Sequence, residues 1–190
     1  MSRRGARTGE EATLSAPSRR AFQLALGACV GVLLAGCGEQ RGAAHAVSDH
    51  PLLGAPAPPL ELPSGDQKEQ ITLARYGGKV VIVDFWATWC EPCRESFPAY
   101  QKLVDEFDGR LVVIGVSVDE DPSEIAAFVA STGVRFPIGW DEGQSAAQGY
   151  RPPKMPTSFV IDSNGIVRFV HAGFTPGDEN QIREQIRSLL

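Results

Sequence analysis

Two cysteines separated by two residues, in Trp89-Cys90-Glu91-Pro92-Cys93, have the types and spacing to do chemistry. A thiolate is a nucleophile, but a free cysteine is mostly protonated at neutral pH, so exchange chemistry needs surroundings that favour the anion. The start of a helix supplies them, because its first N–H groups are unpaired and its dipole end is positive. Two intervening residues let both sulfurs meet within one helical turn. Pro92 is tolerated in a first turn, where its missing N–H costs little. Glu91 adds a carboxylate that opposes thiolate formation and so moderates the helix effect. Placed where a strand hands over to a helix, such a pair is suited to reversible dithiol–disulfide exchange, and it needs no cofactor beyond its own sulfurs.

Two other uses of the pair are weighed against this one. Zinc normally takes four ligands. No second Cys-x-x-Cys exists, and His45, His50 and His171 show no ligand spacing; no metal site is expected. A purely structural disulfide closing so small a loop stabilises little.

One further titratable residue stands out. Asp84 lies six residues before Cys90, among Val81, Ile82, Val83, Phe85 and Trp86. An acid in that company is desolvated, which raises its pKa and suits it to accept and return protons. The alternative is an Asp paired with Lys79 or solvated at a strand end. Trp86 and Trp89 read as structural, with Trp89 also shielding Cys90 and expected to contact the substrate. His171 reads as a strand histidine, exposed or satisfied. His45 and His50 read as solvated residues of a linker.

The elements that must position these groups follow from periodicity. Lys79 to Trp86 is a β-branched run after Gly77-Gly78 and reads as a buried strand. Helical spacing of Phe97, Tyr100, Leu103, Val104 and Phe107 predicts a helix from Pro92 to Phe107, stopped by Asp108-Gly109. Leu111 to Val118 is a second buried strand. Asp121-Pro122-Ser123-Glu124 opens a helix that ends near Gly133. Phe136–Trp140 and Ser145–Tyr150 are a short strand and a short helix. Ser158–Ile161 and Val167–His171 flank Asp162-Ser163-Asn164-Gly165, a hairpin turn signal, and are expected to alternate between faces. A last amphipathic helix carries Ile182, Ile186 and Leu189 on one side. The sum is an α/β domain with a mixed central sheet flanked by helices on both faces.

Composition sets outer limits. The 190 residues are 43% hydrophobic and 22% charged, ordinary for a globular protein. The net charge of −5 conceals an asymmetry. Residues 1–36 hold five Arg and two Glu, leaving 13 basic and 21 acidic groups in the rest. So acidic a body excludes nucleic acid as a partner, because phosphate binding needs a basic face.

The first 36 residues read as a signal peptide: a basic start, then a short uncharged Gly/Ala-rich run from Ala21 to Gly36, too short to span a bilayer. Leu34-Ala35-Gly36-Cys37 resembles the lipobox of bacterial lipoproteins, which implies that Cys37 is acylated and becomes the new N-terminus. Ser18-Arg19-Arg20-Ala21-Phe22 resembles a twin-arginine export signal, although Gln23 and Leu24 stand where Leu and Lys are usual; an ordinary basic n-region is the other reading. With Cys29 removed and Cys37 capped, Cys90 and Cys93 are left as the free thiols. Residues 37–52 are expected to be the lipidated Cys and a flexible tether, and 53–190 the folded domain.

From Gly54 to Leu190 the sequence resembles the thioredoxin superfamily, in particular the membrane-anchored TlpA/ResA-type thiol-disulfide oxidoreductases. The resemblance rests on Gly78-Lys79-Val80-Val81, on Phe85-Trp86-Ala87-Thr88-Trp89-Cys90 and on Pro156-Thr157-Ser158-Phe159-Val160-Ile161-Asp162. It implies a thioredoxin-like fold with Cys90 and Cys93 as catalytic residues. It also implies that Pro156 is a cis-proline beside them, with the Met155 backbone receiving a substrate strand. Asp84 matches the buried acid of thioredoxin. Cys-Glu-Pro-Cys looks like the ResA branch, whose members reduce apocytochrome c before haem attachment, drawing electrons from a transmembrane DsbD/CcdA-type donor. A membrane-held domain facing the periplasm or cell exterior follows. One departure weakens the match to that branch. Where related reductases carry Glu three residues after the second Cys, this chain has Ser96, and Glu95 lies about 100° away around the helix.

Two other functions compete. A Sco-like copper chaperone would have three residues between the cysteines and a later His ligand, for which His171 is the distant candidate. A peroxidase-like antioxidant would place its cysteine in Thr-x-x-Cys, and Thr88-Trp89-Cys90 has the wrong spacing.

Overall fold

The computed structural model describes residues 45–65 and 68–190. The expected signal segment, Cys37 and the tether up to residue 44 lie outside the described residues.

Among the described residues seven strands and four α-helices follow in order: β1 (Glu61–Pro63), β2 (Gln70–Thr72), β3 (Val80–Trp86), α1 (Glu91–Phe107), β4 (Leu111–Ser117), α2 (Ile125–Thr132), β5 (Ile138–Trp140), α3 (Ser145–Tyr150), β6 (Thr157–Ile161), β7 (Val167–Ala172) and α4 (Asp178–Leu189). Five strands form one sheet in the order β5-β4-β3-β6-β7. β3 runs parallel to β4 and antiparallel to β6. The mixed sheet expected from the sequence is therefore the one observed. β1 and β2 pair separately as a short antiparallel hairpin, which periodicity did not predict because each strand buries a single side chain, Leu62 or Ile71.

Apolar side chains fill both faces of the sheet. On one, Val80, Ile82 and Trp86 of β3 meet Phe97, Tyr100 and Leu103 of α1, Phe128 of α2 and Ile182 and Ile186 of α4. On the other, Val81, Val83 and Phe85 meet Leu60, Leu62, Ala146 and Tyr150. Side chains alternate along a strand, so Asp84 projects toward the α1 face. Gly115 stands opposite Asp84 on β4. A Cβ there would come within 2.6 Å of Ile138 Cδ1, so the close packing beside this row needs a residue without a side chain.

β6 alternates between faces as expected, with Val160 in one core and Phe159 and Ile161 in the other, and all five of its residues are buried because it lies between β3 and β7 with packed layers above and below. One expectation changes. Residues 45–52, expected to belong to the tether, lie on the domain. Ala46 bridges to His171, and Val47 N–H donates to the Val170 carbonyl at 2.8 Å. His50 is buried, packs edge-on against Phe159, and its Nε2 lies 3.2 Å from the Arg151 carbonyl. His45 Nδ1 lies 2.6 Å from Asp178 Oδ2. The physical reason is the open edge of β7, whose backbone groups need partners and find them in this segment.

Candidate active site

The site is built where β3 ends. Cys90 is the N-cap of α1, and Cys93 lies in its first turn, with Pro92 between them. The Cys93 N–H donates to the Cys90 carbonyl at 3.2 Å. The two sulfurs are joined in a disulfide with the Cα atoms 5.3 Å apart. Cys90 keeps 4% exposure and Cys93 none, so of the pair only the first touches solvent. Trp89 stands 71% exposed beside them; it is a surface residue and not a core one, whereas Trp86 is fully buried. Glu91 is exposed, with Arg94 3.7 Å away. Arg94 in turn lies over the Phe128 ring, 4.5 Å from its centroid.

The loop between β3 and α1 is braced by Asp119. Its carboxylate accepts from the Thr88 N–H at 3.1 Å, from Thr88 Oγ1 at 2.8 Å and from Ser117 Oγ at 2.8 Å. Its backbone carbonyl accepts from Trp140 Nε1 at 2.8 Å. Reading along the sequence missed this residue, since nothing in Val118-Asp119-Glu120-Asp121 separates it from the other acids.

The Met155–Pro156 peptide bond is cis, as the resemblance implied. The Pro156 carbonyl accepts from the Gly173 N–H at 2.6 Å, and Thr157 Oγ1 donates to the Lys154 carbonyl at 2.6 Å, which holds this loop at the head of β6.

Asp84 is completely buried, so neither solvation nor pairing with Lys79 describes it. Ser158 Oγ donates to its Oδ1 at 2.6 Å. Its Oδ2 has no hydrogen-bond partner among the described residues. Burial pushes its pKa up to about 7, with the Ser158 hydrogen bond pulling the other way. Tyr100 OH lies 2.6 Å from Ser158 Oγ. Burial, then the Asp84 charge, hold the Tyr100 hydroxyl well above its ordinary range. Ser158 and Tyr100 were not found by reading the sequence as site residues; Ser158 meets Asp84 across 74 residues of chain, and Tyr100 meets Ser158 across 58.

At the position where related reductases carry Glu, Ser96 is buried and donates to the Cys93 carbonyl at 3.2 Å. Glu95 points outward and is exposed. His171 is buried, with Nε2 2.7 Å from Gln185 Oε1, and burial lowers its pKa. Among the described residues no three His, Cys, Asp or Glu side chains converge as metal ligands, and no helix is long and apolar enough to cross a membrane.

Residues 53–170 match the AhpC/TSA family. The thioredoxin-like protein YneN of Bacillus subtilis is 34% identical over 108 residues, 55% of this chain and 63% of that protein. The thiol-disulfide oxidoreductase ResA of Geobacillus thermodenitrificans is 32% identical over 137 residues, 71% of this chain and 78% of that one. A crystal structure from Chlorobium tepidum, provisionally assigned as a thiol:disulfide interchange protein DsbE, superposes with a TM-score of 0.69 at 33% identity, covering 75% of this chain and 99% of that one. The chain thus spans somewhat under two thirds of YneN's length, and more of the Geobacillus protein.

Proposed function

The chain belongs to the AhpC/TSA family, with ResA-type thiol-disulfide oxidoreductases among its relatives, and on that premise we propose that it reduces protein disulfides through Cys90 and Cys93. The observation that carries the reading is the inequality of the two sulfurs. Cys90 reaches solvent and Cys93 is sealed, which separates an attacking thiol from a resolving one.

In the dithiol state Cys90 thiolate attacks a client disulfide, and one client sulfur leaves as thiolate. Cys93 then gives its proton to Asp84 and attacks Cys90 Sγ. The Cys90–client bond breaks, the second client sulfur leaves, and the enzyme is left as the disulfide. Two electrons have passed to the client, whose thiolates take protons from water. Met155 beside the cis bond offers backbone groups to the client strand, and exposed Trp89 offers it an apolar contact. The domain's re-reduction requires electrons from a transmembrane donor of DsbD/CcdA type, near which a lipid on Cys37 would hold it, facing the periplasm or cell exterior. Apocytochrome c is the proposed client class. Buried Ser96 leaves that choice without the acid related reductases carry, so the client is tested separately from the reaction.

Two measurements test this. Reduced Cys93→Ser chain mixed with a disulfide-bonded protein is expected to accumulate a mixed disulfide on Cys90, whereas Cys90→Ser accumulates none. The Cys90–Cys93 potential is expected near that of thioredoxin, about −270 mV; a value near about −120 mV would make the protein an oxidant and end the reductase reading.

A further inference from the structure

In one row across the sheet, β4 contributes Gly115, β3 Asp84, β6 Ser158 and β7 His171. These side chains face α1 and α4. Among them the hydroxyl of Ser158 sits between a carboxylate and a phenol, 2.6 Å from Asp84 Oδ1 and 2.6 Å from Tyr100 OH. A serine has one proton to give. When it donates to the Asp84 carboxylate, it must accept from Tyr100. The phenol keeps its proton for this use, being buried and close to negative charge. The consequence is a defined polarity, Tyr100 to Ser158 to Asp84, that occupies Oδ1 and leaves Oδ2 without a partner among the described residues. Cys93 and Tyr100 lie seven residues apart on the buried side of α1, so that helix places the resolving sulfur and the phenol over the same face of the sheet.

We propose that Ser158, backed by Tyr100, is a positioning residue that holds the Asp84 carboxylate with Oδ2 as the oxygen exchanging a proton with Cys93. The proposal rests on the reductase reading above and adds to it the residues that set the acid. In resolution the Cys93 S–H bond breaks, its proton goes to Oδ2, and the electron pair left on sulfur forms the bond to Cys90 Sγ while the Cys90–client bond breaks. The other groups around the acid do not replace Ser158. Gly115 brings no side chain from β4. His171 is turned to Gln185. Asp178 and Glu179 of α4 act on Tyr100 through their charge. No cation pairs with Asp84 among the described residues, so the Ser158 hydrogen bond is the interaction that favours its charged form.

The test is the pH profile of resolution, measured on the full chain by single-turnover reduction of insulin disulfides, with Asp84→Asn as the reference lacking the acid. Losing a hydrogen bond to a carboxylate raises its pKa, so Ser158→Ala should move the midpoint of the profile up by about one to two pH units. Ser158→Thr keeps a hydroxyl and should follow the parent. Tyr100→Phe should move it in the same direction by less than about half a unit. A parallel 13C titration of the Asp84 carboxyl in the oxidised chain needs no turnover and should show the same order. If Ser158→Ala superposes on the parent, or Ser158→Thr shifts as far as Ser158→Ala, the proposal is overturned. An identical profile in Asp84→Asn overturns it also. If insulin is not reduced while the carboxyl titration shifts as expected, the reductase reading falls and the positioning of Asp84 by Ser158 stands.

Discussion

The two faces of the central sheet handle buried polarity in opposite ways. On the face away from α1, Phe85, Tyr150 and Phe159 pack as a ring cluster with centroids 5.1 to 5.8 Å apart. The Tyr150 phenol donates to the Pro58 carbonyl at 2.9 Å. On the α1 face, Asp84 Oδ2 and His171 Nδ1 are buried with no partner among the described residues. An unpaired buried polar atom costs stability, and for Asp84 Oδ2 the proposed proton exchange with Cys93 would supply a use for it. Alternate residues of β3 serve the two faces: Val81, Val83 and Phe85 pack into one core, and Asp84 projects toward the other.

Substitutions on each face sharpen this contrast. Phe85→Ala should produce the largest loss of stability, about 3 to 5 kcal/mol by chemical denaturation, with the Cys90–Cys93 potential nearly unmoved. A large change in potential would show that the faces are not independent. Asp84→Asn should act in the opposite direction and only in part of the pH range. The Asp84 pKa is raised from 3.8 in the unfolded chain to about 7 in the fold. A raised folded pKa means that the contribution is fully present below about pH 4 and is lost as pH rises through about 7. The variant escapes that loss, so it should gain stability above pH 7, on the order of 4 kcal/mol at most, and gain nothing near pH 4. Equal gain at both pH values would remove burial of the charge as the cause. The smallest effect belongs to the loop that joins the faces to the cysteines. Asp119→Ala leaves the Thr88 N–H and hydroxyl unpaired and should cost about 1 to 3 kcal/mol, read by thermal denaturation, together with slower exchange at Cys90. Unchanged exchange would make the brace purely structural.

Much of this arrangement was legible in the chain. The β-branched run ending at Trp86, the apolar spacing of α1 and the Asp162–Gly165 turn marked the sheet and its main helix. Cys90 and Cys93 announced themselves by type, spacing and place between a strand and a helix. Asp84 was conspicuous as an acid within an apolar run. Less was visible where an element is short or locally unremarkable. β1 and β2 have three residues each and no period to detect. Residues 45–52 are short and without periodicity, and their packing depends on an edge strand more than 100 residues away in the chain.

The amino-acid sequence determined the reacting groups, because covalent chemistry depends on residue type and local spacing, and both are written in five consecutive residues. Only the tertiary structure decided which sulfur meets solvent and which hydroxyl holds the acid. Burial and hydrogen bonding are properties of surfaces brought together, and a serine acquires its role here only when β6 is laid against β3 beneath α1.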